Sequence, residues 1–322
     1  MKLIRYVMKR AMLTLPALLG VTLLIFALIR FIPGDPARAI LLTMFDPSTN
    51  LSDLEKDAEV LHKQLGLDQP FPVQYATWLW KIAHGDLGVS FRSKTPILDE
   101  LLQRLPATLE LAGAALLVMV LIAIPSGIAG AVYHRRTVDH TTRIIALIGV
   151  SVPSFFLGLV LMYVLSVKLG WLPTMGRGGG KHLILPALTL GIGLSSVTAR
   201  LLRTSLLQVF SQRYMILAEA KGLHRRTILF KHALPNALLP VLTSFGLVVG
   251  GLIGGTVIIE TVFSWPGVGR YVVDAITGRD YPVIQAFALL MAVVYIVLNL
   301  AVDITYRWMD PRVRMEQEGQ HG

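Results

Sequence analysis

The chain has 322 residues, 54% of them hydrophobic, a formal net charge of +10 and no cysteine. A composition this apolar is unusual for a soluble domain and indicates an integral membrane protein. The lack of cysteine excludes disulfides, thiolate metal sites and cysteine catalysis. The positive charge is not gathered in a basic, aromatic-interleaved soluble domain, so nucleic acid is not an expected partner.

Six apolar runs are long enough to cross a bilayer core as helices. They cover residues 11–32, 106–132, 143–167, 183–204, 237–262 and 283–306. The first run is longer than the apolar part of a signal peptide and ends without a small-residue cleavage site, so we predict a retained anchor over residues 1–32. The sequence therefore predicts an all-α integral membrane protein with six transmembrane helices, five of them between residues 106 and 306.

The distribution of charge predicts the orientation of these helices. If the N-terminus lies in the cytoplasm, the inner segments are 1–10, 133–143, 200–236 and the tail 307–322. These segments hold 17 of the 30 Lys and Arg residues but 5 of the 20 Asp and Glu residues. This bias follows the positive-inside rule, so both termini are expected in the cytoplasm and the high pI reflects topology.

The largest polar region, 33–105, is expected outside the membrane. It contains Tyr75, Trp78 and Trp80 at near-helical spacing, which fits either a short helix at the membrane interface or a small packed cap. Two shorter outer loops follow. Residues 168–182 are rich in glycine, and residues 263–282 predict a re-entrant or surface helical turn bounded by prolines.

The outer loop GRGGGKH (176–182) superficially resembles a phosphate-binding loop. The P-loop pattern requires glycine where this chain has Met175 and a hydroxyl residue where it has His182. We therefore predict that this chain has no nucleotide site, no metal site and no catalytic residues. Acids at membrane depth are functional candidates by default, so Glu110, Glu260 and Asp303 are possible pathway-lining residues, with helix capping or pairing to a nearby Arg as the alternative.

The fifth span carries a cluster of small residues. Its glycines overlap in small-xxx-small pairs, which allow helix backbones to approach closely: Gly246, Gly250, Gly251, Gly254 and Gly255. We predict that this span packs inside a bundle or at a subunit interface. No internal repeat of the kind found in many secondary transporters is evident.

The inner segment YMILAEAKGLHRRTILFKHALPNALLP (214–240) predicts a charged helical hairpin. A first helix over 211–221 would end at Gly222, and a second over 225–234 would be stopped by Pro235. Apolar residues alternate with basic ones, so the hairpin could dock in a groove of a partner or lie on lipid headgroups.

The spacing of Gly222, His232, Leu234 and Pro235 resembles the EAA loop of permease subunits of ABC importers. Two positions depart from that pattern, because Ile216 stands where the family has Glu and His232 where it has Ile. The segments PGDPA, LGLDQP, GDLGVSF, LPATLELA, ARLLRTSLL, WPGVGR and RDYPVIQ, which occur in this order, resemble the dipeptide/oligopeptide/nickel branch of the family.

The resemblance implies the type I ABC importer permease fold in a bacterial inner membrane. It also implies a second homologous permease, two cytoplasmic ATPase subunits that carry ATP and magnesium, and an extracytoplasmic solute-binding protein. The ATPase coupling loop would span about 208–236. Its implied contact residues are Ala218, Glu219, Ala220, Lys221, Gly222, His232, Leu234 and Pro235.

Within this branch, YATWLWK (75–81) and WLPTMGRGGGKH (171–182) most resemble nickel permeases, which predicts transport of nickel, carried as a small chelate. A di- or oligopeptide permease is the alternative. Two other classes are disfavoured. An ion-coupled secondary transporter would need a deeper acid, and a membrane-embedded enzyme would need a buried catalytic set.

Overall fold

The computed structural model describes residues 16, 18–27 and 68–309, except for the side chains of residues 247, 253 and 302–309. Within this part of the chain the secondary structure is helical apart from one isolated bridge between Val89 and Pro96. The helices are α1 (Leu18–Ala27), α2 (Phe71–Ala83), α3 (Ile97–Val132), α4 (Thr137–Ser151), α5 (Ser154–Leu161, continued by a π-helix over Met162–Lys168), α6 (Gly180–Phe210), α7 (Arg213–Ala220), α8 (Arg225–Thr227, continued by a π-helix over Ile228–Ala233), α9 (Leu234–Val262), α10 (Val268–Thr277) and α11 (Tyr281–Met309).

Four helical segments of the described residues are long and apolar enough to cross a membrane, or five if a bent pair counts as one span. They are Ile97–Val132, Gly180–Phe210, Arg225–Gly246 and Tyr281–Ala301, with α4 and α5 as the bent pair. Half of the predicted first span, 11–32, lies outside the described residues. The count of six spans and the location of both termini therefore stay predictions.

The predicted continuous span 143–167 is wrong, because α4 and α5 meet at an angle of 104°. The break lies at Val152 and Pro153. Proline sterically drives the preceding residue out of the helical region, and Val152 has the extended dihedrals φ −81° and ψ 123°. Its N–H makes the last bond of α4, to the carbonyl of Ile148 at 2.9 Å.

The second correction concerns Pro235, which does not end a helix. The chain stays helical from Arg225 through Pro235 into α9. A proline in a regular α-helix would clash with the carbonyl four residues earlier, here that of Lys231. Lys231 belongs to the π-helix Ile228–Ala233, and local widening of this kind is a known way for a helix to continue past such a defect.

Of the predicted α9 glycines, Gly255 lies against another helix, because a Cβ there would be 3.4 Å from Leu190 of α6. A Cβ at Gly251 or Gly254 would meet no atom within 4 Å. A Cβ at Gly191 of α6 would instead collide with Val118 and lie 2.9 Å from the carbonyl oxygen of Ala115 on α3, and one at Gly149 of α4 would collide with Ser196. Helix α6 is therefore the closely packed one, and a subunit interface for the α9 glycines stays a prediction.

The described residues divide into two compact units. The first consists of the described residues up to Pro106 together with Gly267–Ile296. Here α2 is confirmed as a helix, and its aromatic side chains pack on α1: the ring of Phe26 lies 5.5 Å from that of Tyr75 and 5.4 Å from that of Trp78. Trp80 points away and is largely exposed.

A buried carboxylate holds together two segments of this unit that are far apart in the chain. Asp280, which precedes α11, is 3% exposed and accepts hydrogen bonds from Ser90 Oγ (2.6 Å) and from the N–H groups of Phe91 (3.2 Å) and Arg92 (3.3 Å). The partners lie about 190 residues apart in the chain. Two motifs that the sequence shows separately, GDLGVSF and RDYPVIQ, thus form one structural element.

Replacing Asp280 with alanine should release the 88–95 loop, because three donors lose a charged acceptor and hydrogen bonds of this kind contribute about 1.5–3 kcal/mol each at most. The measurement is limited proteolysis of the loop from the outer side, with the thermal unfolding midpoint alongside. Asp86→Ala is the matched control, since Asp86 is exposed and accepts one bond, from Gly88 N–H at 2.8 Å. Equal protease resistance in both variants would contradict the prediction.

The second unit consists of Ala107–Pro266 and the residues from Val297 onwards. One buried cluster joins α3, α5, α6 and α9 and includes Leu111, Leu185, Ile259, Phe263 and the fully buried Trp265. The indole Nε1 of Trp265 donates to the carbonyl of Ala107 at 2.8 Å. A second cluster lies at the C-terminal end of α6 and positions the hairpin described next.

Candidate functional site

The candidate site is the hairpin of residues 213–235, within the predicted coupling loop 208–236. It consists of α7, a turn, α8 and the π-helix Ile228–Ala233. Local sequence explains the turn, since Gly222 follows the last residues of α7 and the imidazole Nδ1 of His224 accepts from Arg226 N–H (3.2 Å) to begin α8. The helices are short, so their orientation depends on packing.

The first helix ends in a Schellman motif. The N–H of Gly222 donates to the carbonyl of Glu219 (2.9 Å) and the N–H of Leu223 to that of Ala218 (3.3 Å). Gly222 has φ +74°, in the left-handed region where glycine pays no steric penalty. The predicted helix end at Gly222 is confirmed. The two bonds satisfy the last carbonyls of α7 and set the direction in which α8 leaves the turn.

One face of the hairpin is anchored in the second unit. Met215 of α7 and Ile228 of the π-helix are 2% and 4% exposed. They pack in one cluster with Leu202 and Leu206 of α6 and with Val241 of α9. Burying these side chains holds the hairpin against two long helices.

The other face is exposed and chemically mixed. Ile216 and Leu217 are 59% and 61% exposed, and Leu223 beyond the turn is 39% exposed. Exposed charged residues border them: Glu219, Lys221, Arg225 and Arg226. Large apolar side chains on a water-facing loop with a charged border are typical of a protein-docking surface.

The structure places the predicted coupling residues in two positions. Ala218 is half-buried at the anchored face, whereas Glu219, Ala220, Lys221 and Gly222 are exposed at the turn. The second group lies at the base of the hairpin: His232 is exposed, Leu234 packs on the anchoring cluster, and Pro235 begins α9. The two groups are thus the tip and the base of one hairpin.

Sequence reasoning missed several residues that hold the hairpin. Asn236 donates through Nδ2 to the carbonyl of His232 (2.8 Å) and to the hydroxyl of Tyr214 (3.4 Å), which joins α7 to the start of α9. The anchors Met215 and Ile228 were also missed. Their alternation with exposed residues was visible in the sequence, but which apolar side chains face inward depends on the position of α6.

The three candidate acids lie in different surroundings. Glu110 is 39% exposed and pairs with Arg177, at 2.6 Å from Nη2. Glu260 is fully buried and accepts from the hydroxyl of Thr108 at 2.6 Å. Asp303 lies in α11, and its side chain is outside the described residues. A role of these acids in lining a pathway stays a prediction.

Comparison with protein families gives two matches. Residues 114–315 match the family described as "Binding-protein-dependent transport system inner membrane component". Residues 3–112 match the family that describes the N-terminal part of the membrane component of such systems. The chain is 42% identical over 315 residues to the glutathione transport system permease protein GsiC of Salmonella typhimurium, covering 97% of this chain and 99% of that protein.

A second relative is named for a different cargo. The dipeptide transport system permease protein DppB of Alkalihalophilus pseudofirmus is 38% identical over 340 residues, covering 97% of this chain and 100% of the relative. These two relatives are thus named for glutathione and for dipeptides. The sequence-based preference for nickel is not supported by these relatives, which favour the peptide alternative.

Among solved structures, the inward-facing MetNI methionine ABC transporter has a chain that superposes with a TM-score of 0.58 at 19% identity, covering 66% of this chain and 96% of that one. An amino acid ABC transporter gives a TM-score of 0.53 at 15% identity, covering 65% and 94%. These likenesses establish the fold. The chain belongs to the inner membrane components of binding-protein-dependent transport systems, as a multi-pass permease subunit of an ABC importer.

Proposed function

We propose that this permease imports short peptides of about the size of a dipeptide or of glutathione. The supporting observation is the identity of 42% and 38%, over nearly the whole chain, to permeases named for glutathione and for dipeptides. Both cargoes are small peptides with ionised carboxylate and amino groups, so a single type of polar pathway suits them. The nickel chelate of the sequence-based hypothesis is similar in size but has no support from these relatives.

The hairpin 213–235 would carry the coupling between ATP hydrolysis and transport. Its exposed face, with Ile216, Leu217 and Leu223, would dock on a cytoplasmic ATPase subunit. Its buried face rests on α6 and α9 through Met215 and Ile228. Closure of the ATPase subunits would move the hairpin as a unit and tilt both long helices, which alternates the inward and outward openings.

The assembly would contain a second, homologous permease, two ATPase subunits that bind ATP and magnesium, and a solute-binding protein that delivers the peptide from outside. The permease itself would bind no nucleotide. The α9 glycines Gly251 and Gly254, which are exposed and have open space at their Cβ positions, are candidates for contact with the second permease.

Uptake into cells that lack this chain and are then complemented tests the cargo. We expect complementation to restore uptake of a labelled dipeptide or of labelled glutathione, with competition by unlabelled short peptides. Labelled nickel uptake should be the same with and without the chain. Restored nickel uptake that excess peptide does not inhibit would contradict the proposal and would favour nickel as the cargo.

The peptide assay requires a matched control for coupling. Cells that express the chain with a hydrolysis-deficient ATPase partner should show peptide uptake at the background level. Uptake that persists under these conditions, and that collapses when the proton gradient is removed, would indicate an ion-coupled transporter.

A further inference from the structure

A groove of about 830 Å³ opens between α4 and α6 at their cytoplasmic ends. It lies in the second unit, away from the hairpin tip, and neither the coupling mechanism nor the pathway hypothesis uses it. Its charged lining comes from Arg143 and His140 of α4 and from Arg200 and Arg203 of α6. The segments that carry these residues are the ones that the charge bias places in the cytoplasm.

The cations of this groove are not equivalent. Arg203 forms a bidentate ion pair with Asp139, in which Nε lies 2.6 Å from Oδ1 and Nη2 lies 2.8 Å from Oδ2. Asp139 is 1% exposed and its carboxylate is fully engaged, so it does not neutralise a second arginine. Arg143 and Arg200 are exposed, and within the described part of the chain neither guanidinium group makes a hydrogen bond or an ion pair.

An apolar surface continues directly from these cations. Ile144 and Leu147, which also line the groove, are both 58% exposed, and Ile145 and Ile148 beside them on α4 are 61% and 56% exposed. A soluble anion would gain nothing from this surface. A phospholipid would match both parts, with its phosphate between the guanidinium groups and its acyl chains along α4.

We propose that this groove binds the phosphate headgroup of an anionic phospholipid of the inner leaflet, held by Arg143 and Arg200. Guanidinium groups bind phosphate through paired N–H donors, and basic pockets between membrane helices on the cytoplasmic side are suited to acidic headgroups. Hydroxyl groups at the rim, on Ser126, Thr142 and Thr204, add polar lining. The net positive charge of the groove selects anionic over zwitterionic lipid.

A lipid bound in this groove would lie close to the residues of α6 that support the hairpin. Arg200 and Arg203 alternate on α6 with Leu202 and Leu206, which are part of the cluster that anchors the hairpin. A lipid that cross-links the ends of α4 and α6 would stabilise the base on which the hairpin rests. Binding should therefore raise the thermal unfolding midpoint of the transporter.

The test uses the intact transporter, purified with its partner subunits and reconstituted in phosphatidylcholine nanodiscs with increasing phosphatidylglycerol. Bound phosphatidylglycerol is measured by native mass spectrometry and the unfolding midpoint by thermal scan. The double variant Arg143→Gln with Arg200→Gln should bind this lipid about 25-fold more weakly, about 5-fold for each cation removed. It should also lose the lipid-dependent rise in midpoint.

The control variant is Arg135→Gln with Arg136→Gln. It removes the same charge from the exposed loop just before α4, outside the groove, and should bind phosphatidylglycerol like the unchanged protein. Equal weakening in both double variants would overturn the proposal, because the lipid would then respond to general charge. Inorganic phosphate at millimolar concentration should not displace the lipid, and displacement would assign the groove to a soluble phosphate.

A final arm tests whether protein fills the groove. The chain has no cysteine, so Ile144→Cys places a single thiol at the groove. In the intact complex this thiol should react with a membrane-soluble maleimide and should form no cross-link to a second permease. A high-yield cross-link to that subunit would show that the groove is a protein interface and would overturn the lipid assignment.

Discussion

Gly222→Val should abolish transport while the chain still inserts in the membrane and accumulates normally. Valine is β-branched and resists the φ of +74° that Gly222 adopts, at a cost of about 1–3 kcal/mol. The turn can relieve this strain by abandoning the two bonds that end α7, which changes the direction of α8. The measurement is labelled cargo uptake together with the amount of ATPase subunit that co-purifies with the permease.

Gly222→Asn tests whether the valine variant fails because of the backbone conformation at residue 222 or because of the size of the added side chain. Asparagine tolerates the left-handed region better than most residues that have a side chain, and a Cβ at this position meets no atom within 4 Å. The asparagine variant should therefore retain most of the uptake. If valine and asparagine abolish uptake equally, the turn contacts a partner so closely that no side chain fits. If both retain it, the hairpin does not couple.

Asp139→Ala should lower the stability of the permease by about 3–5 kcal/mol, the usual cost of removing one partner from a buried ion pair. Arg203, only 16% exposed, would lose its bidentate acceptor, and the N–H of Arg135 would lose a bond of 2.9 Å. Low expression and a lower thermal unfolding midpoint in detergent are the expected results, since this pair fastens α4 to α6.

Two controls distinguish a buried pair from an exposed one. Glu110→Ala breaks the pair with Arg177, whose side chains are 39% and 41% exposed, and should cost at most about 1 kcal/mol. Adding Arg203→Met to Asp139→Ala should recover part of the lost midpoint, because it removes the uncompensated charge. A single Asp139 variant as stable as the Glu110 variant would contradict the assigned role of the pair.

The helices and the end of α7 follow from local sequence, which is why they could be predicted. An apolar run of about 20 residues forms a helix in a bilayer because its backbone groups have no other partner there. Gly222 after a charged helical stretch predicts a left-handed cap because no other residue adopts that conformation so readily. The break at Pro153 also has a local cause, because proline drives the preceding Val152 out of the helical region. The apolar run 143–167 continues across this position, so hydropathy alone does not show the break.

The contacts that hold these helices together depend on residues far apart in the chain. Ser90 and Asp280 meet across 190 positions, and nothing near either residue indicates the other. The same limit applies to glycine: Gly191 and Gly251 stand in similar apolar helices, but only Gly191 lies against another helix of this chain.

The sequence by itself determined that this chain is helical, lies in the membrane, and carries a hairpin that turns at Gly222, because each of these properties arises from neighbouring residues. The tertiary structure decided which face of the hairpin is anchored and which is free. It also decided that Asp139 engages Arg203 while Arg143 and Arg200 stay available in the groove. These outcomes depend on where α6 lies against α4, α7 and α9, and burial in three dimensions, not local pattern, sets that arrangement.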